Sequence, residues 1–271
     1  MNITGKTTVF TILAHPSSNV VAPLVYNELF RNLGLDMVYI AHDVSPDALP
    51  TTVRALSMWE NLGGFNVTVP HKEAVAGFLD GKCPITSRIG VVNTVVRLSD
   101  NSLYGYNTDG IGALNALGDV KDLACLVMGV GGAGRSIIDA LIHGGASTIY
   151  ILNRSTDRAM KTIAMFGEEK VKLFSEDVLG DIDVVVQATS LADTMPFDLD
   201  MERLKKDARC LEIIMRKTVF YEKALSLGLE VIPGHRMLFG QTRQNFKLFT
   251  GIDISPEIIK NAFEHVGYTV G

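Results

Sequence analysis

Lys72 and Asp109 are the side chains of this sequence best suited to moving a proton. Lys72 closes the phrase Asn66-Val67-Thr68-Val69-Pro70-His71-Lys72. Asp109 lies in Tyr106-Asn107-Thr108-Asp109-Gly110, preceded by Val91-Val92-Asn93-Thr94. Oxidising a secondary alcohol takes a hydride from carbon and a proton from oxygen. A neutral lysine amine can accept that proton, and its ammonium can return it to a carbonyl. An acceptor for the hydride is suggested downstream by the glycine fingerprint Gly129-Val130-Gly131-Gly132-Ala133-Gly134-Arg135. The order implies a small-molecule site on the first half of the chain and a dinucleotide site on the second. Taken singly, each residue has a plainer reading. Lys72 would be a solvated surface lysine, Asp109 an N-cap for a helix beginning at Gly110, and Asn93 and Asn107 bridges between loop backbone groups.

The glycine fingerprint gains weight from its context, because it follows an apolar strand and opens a helix. Gly129 permits the tight turn, Gly131 lets backbone approach a pyrophosphate, and Gly134 lets helix and strand pack closely. The N–H groups at the helix start then face the phosphates. An acidic residue at the end of the next strand would bind the ribose hydroxyls of NAD. This sequence has Asn153-Arg154-Ser155-Thr156-Asp157-Arg158 there. Guanidinium groups at Arg154 and Arg158, four apart and on one side of a helical turn, suit a 2′-phosphate, so NADP is favoured and NAD stays possible. Asp157 works against this, and both arginines could equally be solvated helix-start residues.

These residues need a scaffold, and the pattern supplies one. Thr8 to Leu13 reads as a strand running into His15-Pro16. Pro23 opens a helix with Leu24, Val25, Leu29 and Phe30 at helical spacing. Met37 to Ala41, Gly64 to Val69 and Thr94 to Leu98 read as further strands, and alternation with helices predicts a largely parallel sheet. The pattern restarts near Asp109. Strands are expected at Leu123 to Met128, Thr148 to Leu152, Ile182 to Ala188, Leu211 to Ile214 and Leu229 to Ile232. Two helices, Met237 to Phe249 and about Pro256 to Val266, close the chain. There are no repeats and no low-complexity linker. With 271 residues the chain has room for two domains. A formal net charge of −5 argues against nucleic acid as a partner. No apolar run reaches the ~18 residues needed to span a bilayer, and no signal segment begins the chain, so a cytoplasmic protein is expected. Cys83, Cys125 and Cys210 lack metal or redox spacing and are expected to be buried thiols; no metal site is expected.

Taken together the sequence resembles the shikimate dehydrogenase family along nearly its whole length. The resemblance rests on Asn66 to Lys72, Val92-Asn93-Thr94, Asn107 to Gly110, the glycine turn, Asn153-Arg154-Ser155, Ala188-Thr189-Ser190, and Gly234 followed by Met237-Leu238 and Gln241. It implies an α/β fold with an N-terminal α/β substrate domain over 1–108 and a Rossmann-type dinucleotide domain over 109–236. Helices over 237–271 would return to the first domain, with the site in the cleft between domains. It further implies that Lys72 and Asp109 are the catalytic pair and that Asn93 and Gln241 are ligands of substrate hydroxyls beside Thr68. Cofactor contacts are implied at Gly129, Gly131, Gly132, Ala133, Gly134, Asn153, Arg154, Ser155, Arg158, Thr189, Ser190 and Met237.

The sequence departs from the family at one place that matters. The family's substrate-carboxylate site is a pair of serines two apart just before a proline. Aligning Pro16 and Pro23 puts Val20 and Ala22 there, and both hydroxyls are missing. Met215 also stands where a tyrosine is common, followed by Arg216 and Lys217, either of which could supply a charge or point into solvent. The expected function is therefore an NAD(P)-dependent oxidoreductase of a shikimate-like cyclic polyol or hydroxy acid. Shikimate or quinate held by a reshaped loop, and a non-catalytic dinucleotide sensor, are the alternatives. Monomer and homodimer both stay open.

Overall fold

The computed structural model describes residues 2–270, and its strands form two six-stranded sheets. The first half contributes β1 (Thr8–Ala14), α1 (Ala22–Asn32), β2 (Met37–Asp43), α2 (Leu49–Ser57), β3 (Leu62–Val67), β4 (Gly81–Lys82), α3 (Pro84–Ile89), β5 (Thr94–Arg97) and β6 (Leu103–Tyr106). The remainder contributes α4 (Asp109–Leu117), β7 (Ala124–Met128), α5 (Gly132–His143), β8 (Thr148–Leu152), α6 (Thr156–Phe166), β9 (Val171–Leu173), β10 (Val184–Gln187), β11 (Arg209–Glu212), α7 (Val219–Ser226), β12 (Glu230–Ile232), α8 (Gly234–Thr250) and α9 (Pro256–His265). The chain divides into two compact units, Met1–Thr108 with Thr242–Gly271, and Asp109–Gln241.

In the first unit the sheet order is β2-β1-β3-β5-β6-β4. Strand β1 is parallel to β2 and β3, and its central position explains the near-continuous burial of Phe10, Ile12 and Leu13. The sheet is mixed rather than largely parallel, because β5 runs antiparallel to both β3 and β6. Only five residues separate β5 from β6, too few for a parallel crossover, so a hairpin is the only closure. Asn101 takes φ 71° in that loop, and the Asp100 carboxylate accepts from Ser102 N–H at 3.0 Å. The strand β6 is absent from the sequence reading, since Leu103-Tyr104-Gly105-Tyr106 is too short to show a period.

Helices α8 and α9 complete this unit. Phe246 and Phe249 of α8 meet Phe30 and Phe10 with ring centroids 5.9 and 4.9 Å apart, and α9 packs on α1. The division between units falls at Gln241/Thr242, inside the continuous helix α8, rather than at 236/237. A helix crossing between two cores carries no turn residue to mark the place.

The second unit is a doubly wound parallel sheet ordered β12-β11-β10-β7-β8-β9. Residues Cys125 to Met128 and Val184 to Val186 are fully buried, as expected where helices cover both faces. Strand β11 lies two residues earlier than the apolar run suggests, and the short β9 escaped the pattern. Burial pushes the thiols of Cys125 and Cys210 up to about 12, while Cys83 is only half-buried. Among the described residues no helix is long and apolar enough to cross a membrane, and no His, Cys, Asp and Glu group could hold a metal ion.

Candidate active site

In the first unit, β3 delivers its C-terminal residues to the loop that carries Thr68 and Lys72. Thr68 N–H donates to Leu13 O at 2.9 Å, and His71 N–H donates to Thr68 O at 2.9 Å. The imidazole of His71 is buried, with Nε2 2.7 Å from Val44 O, so the residue before Lys72 is pinned from the side. Lys72 O accepts Val92 N–H at 2.9 Å. The half-buried lysine is thus tied by its backbone to the strand entry carrying Asn93.

Asn93 is 4% exposed. Its Oδ1 accepts from Thr108 N–H, and its Nδ2 donates to Thr108 Oγ1, both at 2.9 Å. Asn66 Nδ2 donates to Asn93 O at 3.0 Å and to Thr94 Oγ1 at 2.9 Å, while Tyr39 O–H donates to Asn66 Oδ1 at 2.7 Å. Asn245 of α8 closes the set, its Oδ1 accepting from Thr94 and Thr108 hydroxyls at 2.9 and 2.8 Å. Asn107 Nδ2 reaches Val91 O at 3.3 Å, a loop bridge of the plain kind. Asn245 is absent from the sequence reading. It belongs to the stripe Thr242, Asn245, Phe246, Phe249, whose helical spacing marks it as an inward-facing polar residue.

Val20, in the loop entering α1, is half-buried, and Ala22, the first residue of that helix, is 6% exposed; neither position has a hydroxyl. Ser17 N–H is given to Asp43 Oδ2 at 2.8 Å, and Asp43 Oδ1 lies 2.7 Å from His15 Nδ1. The Ser17 N–H and the His15 ring hold the Asp43 carboxyl below the usual aspartate range.

In the second unit, Asp109 is the first residue of α4 and 2% exposed. A Cβ at Gly112, one turn on, would lie 2.7 Å from Met237 O and 3.0 Å from Gln241 Cβ. Only glycine permits that approach, and it sets the half-buried Gln241 beside the helix that begins at Asp109. Asn115 Nδ2 donates to Gly240 O at 2.8 Å across the same contact. Met237 is 6% exposed and packs in the apolar cluster with Val127 and Ile137.

The glycine turn joins β7 to α5. Gly129 takes φ 95°, and a Cβ there would meet Thr189 Cγ2 at 2.9 Å; one at Gly134 would collide with Gly129 O. Nothing lies within 4 Å of a Cβ at Gly131, the N-cap of α5, and no side chain caps that helix. Gly132 and Ala133 follow as its first, half-buried residues. A helix N-terminus without a side-chain cap leaves N–H groups available to an anion such as a pyrophosphate. Asn153 Oδ1 accepts Val130 N–H at 3.2 Å and its Nδ2 donates to Ser155 O at 2.8 Å, so this side chain braces the turn. Ser155 caps α6 through Arg158 N–H. Arg154 therefore lies before the helix and Arg158 inside its first turn, so the two do not share a helical face as their spacing suggests. Both are exposed.

Two buried polar residues at neighbouring strand ends shape the loops beyond β10 and β11. Gln187 Oε1 accepts Thr189 N–H at 2.6 Å and its Nε2 donates to Leu191 O at 3.0 Å, leaving Ser190 exposed. Glu212 Oε1 accepts Ile214 N–H at 2.8 Å, and Oε2 accepts the Thr218 hydroxyl. A charge inside Cys210-Leu211-Glu212-Ile213-Ile214 was the available sequence signal. Arg216 pairs with Asp193 through two bonds of 2.8 Å, and Lys217 Nζ lies 3.7 Å from Glu222, so each has an acidic partner of its own.

Burial raises the Glu212 carboxyl above the usual glutamate range, against the Thr218 hydroxyl and the Ile214 and Ile213 N–H groups. A raised folded value means stability is greatest below the unfolded pKa and is lost as pH climbs through the folded one. Unfolding of wild type and Glu212→Gln from about pH 4 to about pH 8 should show wild type losing ground with rising pH. Parallel curves would mean this carboxyl titrates as in the unfolded chain.

The chain is similar to known proteins. The profile of the shikimate dehydrogenase substrate binding domain matches residues 12–95, and that of shikimate / quinate 5-dehydrogenase matches residues 112–215. A shikimate dehydrogenase (NADP(+)) of Methanocaldococcus jannaschii is 32% identical, covering 96% of this chain and 97% of its own. The crystal structure of shikimate dehydrogenase from Aquifex aeolicus superposes with a TM-score of 0.88 at 31% identity, covering 96% and 99% of the two chains. A 5-ketofructose reductase of Gluconobacter, crystallised ligand-free, does so at 0.83 and 25% identity, over 97% and 100%.

Proposed function

From the premise that the chain belongs to the shikimate dehydrogenase family, we propose that it is an NAD(P)-dependent oxidoreductase interconverting a secondary alcohol and a ketone on a shikimate-like cyclic polyol. NADP is the favoured cofactor. The Methanocaldococcus jannaschii relative, named for NADP(+), supports it, as do Arg154 and Arg158 around an Asn153 strand end free of acid. The uncapped N-terminus of α5, with Gly129, Gly131, Gly132, Ala133 and Gly134, fits the pyrophosphate. When bound, the nicotinamide accepts or supplies the hydride. Lys72 takes the proton of the reacting hydroxyl and returns it in reduction, and Asp109 supports that exchange. Asn93 and Gln241 bind ring hydroxyls, and Thr68 borders the ring. Thr189, Ser190 and Met237 flank the cofactor.

The observation that carries the substrate assignment is the pair Val20 and Ala22. They offer no donor to a carboxylate, and the Ser17 N–H nearby is already committed to Asp43. A carboxylate hydrogen bond is worth about 1.5–3 kcal/mol, so its loss from a binding site is felt. A substrate whose ring substituent is not a carboxylate suits this loop. That a 5-ketofructose reductase shares the fold supports the same direction, since its named substrate is a sugar ketone. The second reading, shikimate or quinate held by the reshaped loop, is favoured by the names of the relatives. Arg216 and Lys217, each with an acidic neighbour, lend it little support.

A screen of cyclic alcohols and hydroxy acids with NADP and NAD, followed by nicotinamide absorbance, tests the assignment. Wild type is expected to use shikimate poorly, and Val20→Ser with Ala22→Ser should raise kcat/KM on it about tenfold, equivalent to only ~1.4 kcal/mol. A ring polyol without the carboxylate should gain nothing from the serines. Efficient wild-type turnover of shikimate, unimproved by the double change, would select the second reading.

A further inference from the structure

We propose that Gln187 is a positioning residue that shapes the loop beneath the nicotinamide half of the cofactor. The proposal rests on the reading of the second unit as a dinucleotide domain. Sheet order sets the direction in which a cofactor lies. Residues Asn153 to Arg158, assigned to the 2′-phosphate end, follow β8, and the glycine turn assigned to the pyrophosphate follows β7. Strand β10 is the neighbour of β7 on the side away from β8. A dinucleotide laid along the carboxyl ends of this sheet therefore puts its nicotinamide ribose and ring over the loop that leaves β10. Thr189 lies in that loop and borders the turn, since a Cβ at Gly129 would be 2.9 Å from its Cγ2.

Backbone anchors the loop at its two ends. Ala188 N–H donates to Met128 O at 2.8 Å, and Val219 N–H donates to Ala192 O at 2.9 Å. Between these anchors, among the described residues, the hydrogen bonds from the loop to its strand all come from the Gln187 side chain, which is fully buried. Its Oε1 accepts Thr189 N–H at 2.6 Å, and its Nε2 donates to Leu191 O at 3.0 Å. The remaining bond, Leu191 N–H to Thr189 Oγ1 at 3.2 Å, stays inside the loop and cannot hold it to the sheet. The residue type follows from these partners. The loop offers one donor and one acceptor, and a carboxamide answers both at once. Glu212, in register with Gln187 on β11, faces two donors instead, Ile214 N–H and the Thr218 hydroxyl, and there a carboxylate serves. Thr189 is half-buried and Ser190 and Leu191 are exposed. Without the carboxamide, the freed Thr189 N–H and Leu191 O turn to water, and the three residues lose the single shape offered to the cofactor.

The test compares two ligands on the full chain. NADP spans the whole site, whereas 2′,5′-ADP carries the adenosine and the 2′-phosphate but no nicotinamide. Gln187→Met keeps the length of the side chain and loses both hydrogen bonds. It should weaken NADP roughly tenfold, the scale of one lost organising hydrogen bond, and leave 2′,5′-ADP within about twofold. Hydrogen exchange of the Thr189 amide reads the loop itself, and it should quicken in the variant while the amides of β7 and β8 keep their protection. Should Gln187→Met fail to fold, Gln187→Glu keeps the acceptor for Thr189 N–H and removes the N–H given to Leu191 O, and it should shift NADP alone in the same direction. Equal losses for the two ligands overturn the proposal, since a residue that merely holds the unit together would act on both. So does a quickened Thr189 amide with NADP affinity unchanged, because the loop would then be free of the cofactor. A wild-type chain that binds neither ligand would instead remove the dinucleotide reading, and this proposal with it.

Discussion

Replacing Lys72 by alanine is expected to lower kcat by roughly 10²–10⁴, the usual loss when a positioned acid–base group is removed. NADP affinity should hardly change. The scaffold gives the experiment its meaning, because this loop is held by contacts that Cβ truncation of the lysine does not touch. His71 Nε2 anchors to Val44 O, and Lys72 O accepts Val92 N–H. Truncation at Cβ leaves both in place. Lys72→Arg should be nearly as slow, because a guanidinium stays charged and has no lone pair with which to accept the alcohol's proton. The measurements are kcat on the best substrate of the screen and a cofactor titration on the same variants. An alanine variant with half the wild-type turnover would reduce Lys72 to a bystander.

The second large effect concerns the cofactor. Arg154→Ala should weaken NADP about 10- to 100-fold, as expected for losing a charge-assisted bond to phosphate worth about 1.5–3 kcal/mol. NAD binding should stay within about twofold, because NAD has no 2′-phosphate for the guanidinium to meet. The geometry separates Arg154 from Arg158. Arg154 precedes the Ser155 cap, whereas the backbone of Arg158 belongs to the cap itself. Substituting Arg154 therefore leaves the start of α6 intact, and an affinity change is not a folding change. Titrating both cofactors into wild type and variant reads this directly. Equal losses for the two would remove the phosphate contact from the account.

What sequence reveals about the site depends on how far each contact reaches along the chain. The glycine turn was legible because its demands are met within a few residues: a φ of 95° at Gly129 and a close approach at Gly134. Asn153 was legible as part of the cofactor region but not as a brace, since its acceptor role toward Val130 depends on how β7 and β8 lie side by side. The arginine pair shows the cost of reading spacing alone. Four residues apart implies one helical face only if both lie in the helix, and the Ser155 cap falls between them. Gln187 and Glu212 went unassigned because a polar residue in an apolar run has no meaning until the loop it braces is known.

From the sequence alone the α/β class and the strand that runs into the glycine turn were legible, and a resemblance carried by several motifs pointed to the family and its Rossmann-type second domain. The α/β class and the turn follow from apolar periodicity and turn chemistry, which act over short stretches of chain. Tertiary structure alone decided that β5 and β6 form an antiparallel hairpin and that α8 changes units between Gln241 and Thr242. It alone decided that Asn245 meets Thr94 and Thr108 across 151 and 137 residues of sequence. The physical reason is the same in each case. A buried polar group must find a partner wherever folding places one, and a helix that serves two cores is held by packing that no local pattern records.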